Sequence, residues 1–182
     1  QLALGALARN IQVSDPRRAE ALMESLKNEM NDATDAARKG TLIAALGNSG
    51  APDLLEALSP ILQSAETSAA LRAEAVYALR NLEDAQSESV LLTTFHGETP
   101  EEIREQAVRA LSYRTPTPSS IEGQRELLSS ETSPRIRMEL LGNLVHSLEN
   151  EPQQLRNILE STASHDASEE IRSEAERLLK SS

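Results

Sequence analysis

The chain has 182 residues, a formal net charge of −11 and no cysteine. Disulfides and thiolate metal sites are therefore excluded. The acidic balance disfavours nucleic acid and anionic membranes as partners, because their phosphates call for clustered Lys and Arg.

Twenty-seven leucines and twenty-four alanines supply most of the apolar residues, and aromatics make up 2%. Leu and Ala are strong helix formers, and Ala lets helices approach closely, so the composition predicts an all-α fold. Both halves share the acid excess, which also serves simply to keep the protein soluble. No apolar run reaches the roughly 18–20 residues of a membrane span. Gln1 to Arg9 reads as the interior of a helix and not as a signal peptide. We therefore expect the chain to be part of a longer protein, with any targeting signal elsewhere.

Leu2, Leu4, Leu7 and Ile11 predict a first helix that stops near Val13. Asp15 before Pro16 is an N-cap followed by proline at the first helical position, opening a helix to about Asn31 on Ala19, Leu22, Met23, Leu26 and Met30. A third helix covers about Asp35 to Asn48, with Gly50 as its stop. The fourth, from Pro52 to about Ser64, contains Pro60, which removes a backbone hydrogen bond. Helices five to seven are expected over Leu71–Leu82, about Ala85–His96 and Pro100–Tyr113, the last opened by a Thr99/Glu102 capping box. After Thr115-Pro116-Thr117-Pro118 comes a helix anchored by Ile121, Leu127 and Leu128. Helix nine spans Pro134 to about Leu148, helix ten carries Leu155, Ile158 and Leu159, and helix eleven starts at Ser168. One leading helix and five helix pairs result.

The pairs repeat. Leu71, Ile103, Ile136 and Ile171 each open the phrase Leu/Ile-Arg-x-Glu/Gln-Ala/Leu, at spacings of 32, 33 and 35 residues. A period of that size predicts an α-solenoid, a superhelix of about eleven helices, forming a single repeat domain over residues 1–182. Six residues before Arg72, Arg104, Arg137 and Arg172 stand Glu66, Glu98, Glu131 and Asp166. An acid in the turn can accept hydrogen bonds from the rigid fork of an arginine, so these eight residues are read as a structural ladder. The first complete pair has Ala33 and Lys39 in these places.

Pro60, Glu66, Leu71-Arg72 and Ala75 resemble HEAT repeats, which place a proline in the first helix, an acid in the turn and a Val-Arg-x-x-Ala-like phrase in the second. That resemblance implies a curved superhelix whose second helices line the concave side. More narrowly, LALGALARN, LIAALGNSGAPDLLEALSPIL and LRAEAVYALRNL resemble the helical domain of the vitellogenin and microsomal triglyceride transfer protein large-subunit family. Its Leu-Gly-Asn-x-Gly-x-Pro turn corresponds to Leu46 through Pro52. The likeness implies an arch around a lipid cavity built by other domains, in an extracellular or periplasmic protein, with lipid met only through those domains.

No catalytic pattern emerges, so no enzyme, cofactor or metal is expected. His96, His146 and His165 lie on different repeats with no helical spacing between them. Glu83-Asp84, Glu101-Glu102 and Glu169-Glu170 fall at helix starts or turns, where negative charge favours the helix dipole. Beside the buried face of the second helices runs a stripe containing Tyr77, Arg109, Tyr113 and Arg177. Tyr and Arg are favoured in interface hot spots, and the same residues can equally be ordinary surface. Two readings follow. One is a non-enzymatic scaffold, the helical arch of a larger lipid-transport protein. The other is a stand-alone adaptor gripping a protein or peptide on its concave face.

Overall fold

The protein is described from a computed structural model, which covers residues 1–96 and 99–181. Among these residues there are eleven α-helices, one 3-10 turn and no strand. The helices are α1 (Leu2–Ile11), α2 (Pro16–Asp32), α3 (Ala36–Ser49), α4 (Leu54–Gln63), α5 (Ala69–Ala78), α6 (Ala85–Thr93), α7 (Glu101–Ser112), α8 (Pro118–Ser130), α9 (Pro134–Ser147), α10 (Pro152–His165) and α11 (Glu169–Ser181). The repeated helix pairs are those of an α-solenoid. The chain resolves into two compact units, Gln1–Thr115 and Pro116–Ser182.

In the first unit, α1, α3, α5 and α7 lie side by side in succession. The alternate helices close the other layer: α2 packs on α1 and α3, α4 on α3 and α5, and α6 on α7. The core between the layers contains Leu26, Met30, Leu42, Ile43, Leu46, Leu54, Leu58, Leu79 and Leu91, all fully buried. In the second unit, α8 packs on α9, α10 on α11, and α9 on α11. Ile136, Leu140, Leu141, Leu144 and Leu159 are buried there.

Local chemistry sets the helix ends. The carboxylates of Asp15, Asp35 and Asp84 accept the backbone N–H groups of Arg18, Arg38 and Ser87, each satisfying one of the donors a helix start leaves unpaired. Gly50 ends α3 in the left-handed conformation, φ 61°, which a residue with a Cβ rarely adopts. Helix α4 continues through Pro60. Thr117 and Ser120 form a capping box at α8.

Three boundaries differ from the sequence expectation. Pro100 occupies the N-cap of α7, which displaces Thr99 one position outward. Its hydroxyl donates back to His96 O at 3.2 Å, so the Thr99/Glu102 box does not form. The fifth helix is α-helical only to Ala78, then tightens into the 3-10 turn Leu79–Asn81. Helix α6 ends at Thr93 and not at His96.

Two glycines allow neighbouring second helices to touch backbone to backbone. A Cβ on Gly5 would lie 1.8 Å from Ala45 O, and one on Gly47 would lie 2.7 Å from Ala78 Cα. Gly142, on the exposed side of α9, has nothing within 4 Å of that position. Alanine in place of glycine favours a helix by about 1 kcal/mol, and overpacking costs about 1–3 kcal/mol. We therefore expect Gly142→Ala to raise the unfolding midpoint while Gly5→Ala and Gly47→Ala lower it, measured by urea titration of the helical circular-dichroism signal.

Candidate functional site

The ladder residues occupy the turns that open the second helices. In α9 and α11 the arginine reaches back to its own turn. Arg137 Nη1 donates to Glu131 O at 2.9 Å and Thr132 O at 3.1 Å, and Arg172 Nη1 donates to Asp166 O at 2.7 Å. In α7, Arg104 Nη1 donates to Thr99 O at 2.5 Å. The acid also closes its turn. Glu131 Oε1 accepts the Ser133 amide at 2.8 Å, and Asp166 Oδ1 accepts the Ser168 amide at 2.7 Å.

Between the two helix pairs of the second unit, Arg137 and Asp166 join fork to fork. Nε–Oδ2 and Nη2–Oδ1 are each 2.9 Å, and the two side chains are 9% and 6% exposed. Burial alone would raise the Asp166 pKa. The hydrogen bonds from Arg137 and the Ser168 amide, with the charges of Arg137 and Arg172, hold it below the ordinary value. The carboxylate is therefore ionised, as a buried bidentate pair requires. Glu66 is exposed, and Arg72 is half-buried with its Nε lacking a hydrogen-bond partner. Glu98 lies outside the described residues. Beside the Arg137–Asp166 pair, α8 and α10 leave a cleft of about 630 Å³ floored by Leu128 and Ile158.

A second set of polar contacts runs along the C-terminal ends of α1, α3, α5 and α7. Here each residue of the Leu46–Pro52 turn has a physical role. Leu46 is fully buried, Gly47 admits α5, and Gly50 ends the helix. The Ser49 hydroxyl donates to Leu46 O at 2.6 Å and accepts the Ala51 amide at 3.2 Å. Gly47 O accepts from Asn81 Nδ2 at 2.8 Å, and Asn48 Oδ1 accepts from Arg80 Nη2 at 2.5 Å. Arg9 Nη1 donates to Asn81 Oδ1 at 3.0 Å, adding α1 to the network.

Arg80 also lies over the Tyr77 ring, 4.3 Å from its centroid, and that ring meets Tyr113 edge-on at 6.0 Å. Burial and hydrogen bonding to Tyr113 raise the Tyr77 pKa against the opposing charge of Arg80, so its phenol is neutral at physiological pH. The structure thus brings Tyr77, Tyr113 and Arg109 of the expected stripe together. Tyr113 is 65% exposed, and Arg109 pairs with Glu105 at 2.7 Å. The stripe is not uniformly surface. Ala73 and Glu105 are buried and Tyr77 half-buried, because adjacent second helices pack against it. Arg177 belongs to the second unit, where it pairs with Glu174 at 2.6 Å.

With this turn explained residue by residue, the likeness to known families can be weighed. The family model described as the vitellogenin TPR domain matches residues 1–144. The chain belongs to that family. No curated protein matches it. A crystal structure of an engineered protein is 17% identical, covering 98% of this chain and 95% of its own, at a TM-score of 0.49. That likeness is too loose to carry an argument.

In this vitellogenin TPR domain the residue that sequence reading missed is Arg114. It is 7% exposed, and it donates to Leu79 O at 3.3 Å, Ser87 Oγ at 3.1 Å and Asp84 O at 3.0 Å. Its signal was its place 34 residues after Arg80, one period on. The histidines are apart: His146 Nδ1 meets Glu149 Oε1 at 2.7 Å, and His165 Nδ1 meets Ser161 O at 3.0 Å. Of the paired carboxylates, Asp84 caps α6 and Glu83 accepts the Thr115 amide at 3.3 Å.

Removing one member of a buried ion pair leaves the other charged and unpaired, at about 3–5 kcal/mol. We expect Arg137→Ala to destabilise the second unit by that order in denaturant titration. Asp166 and Asp84 both have folded pKa values below their ordinary ones; for Asp84, hydrogen bonds from Ser87 outweigh burial. A depressed carboxyl adds stability above the unfolded pKa of about 3.9, and that stability is lost as pH falls through the folded value. Melting temperatures taken on acidification should therefore drop below about pH 4, and less steeply in Asp166→Asn.

Proposed function

We propose that this domain is a non-enzymatic scaffold, the helical arch of a larger vitellogenin-like lipid-transport protein. The observation that carries the reading is the match to the vitellogenin TPR domain over residues 1–144, joined to a continuous wall of second helices. The polar side chains support it as well. Asp15, Asp35, Asp84 and Thr117 cap helices, while Arg104, Arg114, Arg137 and Arg172 hold turns or helix ends. Such residues give the domain a defined surface for other domains to lean on, and lipid meets it only through them. No helix among the described residues is long and apolar enough to cross a membrane.

The decisive experiment uses the full-length product of the gene that encodes this chain. Deleting residues 1–182 should abolish lipid loading, read as lipid recovered with the purified protein, while the remaining domains stay folded. Loading at the intact level would overturn the arch. The adaptor reading draws on the exposure of Tyr113 beside Arg109. It predicts that the 182-residue chain captures a separate stoichiometric partner, and that Arg109→Ala/Tyr113→Ala loses this partner with an unchanged melting temperature.

A further inference from the structure

We infer that the C-terminal rim of the second helices in the first unit is a docking surface for a carboxylate-rich polypeptide segment of an adjoining domain. This inference rests on the scaffold reading and names the chemistry of its contact. The rim is contiguous. Arg9 binds Asn81, Arg80 follows in sequence and covers Tyr77, and Tyr77 meets Tyr113, which shares a helix face with Arg109.

Its charge is opposite to that of the molecule. The chain carries −11 overall, yet Arg9 and Arg80 bond only neutral acceptors among the described residues: the Asn81 and Asn48 amides and Tyr77 O. A guanidinium has five N–H donors. Arg9 uses one and Arg80 two, so both keep donors for an incoming carboxylate. The partner contacts also hold Arg80 in place, which lowers the ordering cost of binding. Tyr113, 65% exposed, adds apolar area beside the charges, the Tyr and Arg composition of protein hot spots. An extended polyanion such as nucleic acid or a phospholipid surface would overrun this small rim and meet the surrounding acid excess. A short acidic segment does not.

The test is fluorescence anisotropy of the 182-residue chain with a labelled Glu-rich peptide, a Lys-rich peptide as control, at low and high salt. The Glu-rich peptide should bind, weaken with salt, and lose about tenfold in affinity in Arg9→Gln/Arg80→Gln. Arg80 also joins repeats, so Arg9→Glu and Tyr113→Ala, both at exposed positions, provide a second route. Each should weaken binding at an unchanged melting temperature. No binding of the Glu-rich peptide, equal binding of the Lys-rich one, or binding indifferent to all these variants overturns the inference. Concentration-dependent self-association that Arg9→Glu abolishes also overturns it, in favour of a second copy of this chain. The two readings fail separately. A chain that ignores the peptide while its deletion still abolishes lipid loading defeats only the docking surface. A chain that binds the peptide while the deletion protein loads lipid normally defeats only the arch.

Discussion

The last turn of an α-helix leaves backbone carbonyls without intrahelical partners, and in a stack of second helices these ends crowd together. Gly5 and Gly47 bring neighbouring backbones close enough that little room remains for water to satisfy them. The solution recurs with the repeat. Asn81 reaches back to Gly47 O, and Arg114 reaches back to Leu79 O, offsets of 34 and 35 residues. Each helix end is thus completed by a side chain from the next second helix, so the close packing and the polar rim require one another.

The opposite ends of the second helices pose the complementary problem, since their turns must reverse the chain sharply. Arg104, Arg137 and Arg172 tie down carbonyls five or six residues upstream, and Glu131 and Asp166 hold the amides two residues ahead. These bonds are local, so every turn can form on its own. Arg137 to Asp166 is different in kind. It links one helix pair to the next, and its burial makes it intolerant of losing either partner. Its value lies in fixing register, because two charges of that size are seldom placed in a core for stability alone.

Much of this was legible in the residues. The helices, the stop at Gly50 and the cap at Asp15 follow from local rules that act within one turn of chain. The period placed the arginines and acids together but could not say which atoms meet. Six-residue spacing suggested arginine to its own acid; the arginine of each pair instead takes backbone carbonyls of that turn, and Arg137 takes the carboxylate of the next. Thr99 was misread because Pro100 occupies the N-cap, a choice between adjacent positions that pattern alone leaves open. Arg114 escaped because a charged residue at the end of a predicted helix normally reads as surface, and only packing from the neighbouring pair buries it.

The same reasoning explains why cations collect at the rim of so acidic a protein. Helix C-terminal ends carry partial negative charge, so arginine is favoured there over any other long polar side chain. Amides at Asn48 and Asn81 accept from Arg80 and Arg9 without neutralising them. A carboxylate in either place would have made a closed ion pair and an electrically silent edge. An amide holds the guanidinium in position yet leaves its charge outstanding. A scaffold built from such contacts therefore presents fixed positive groups along one edge as a direct consequence of how its repeats are joined.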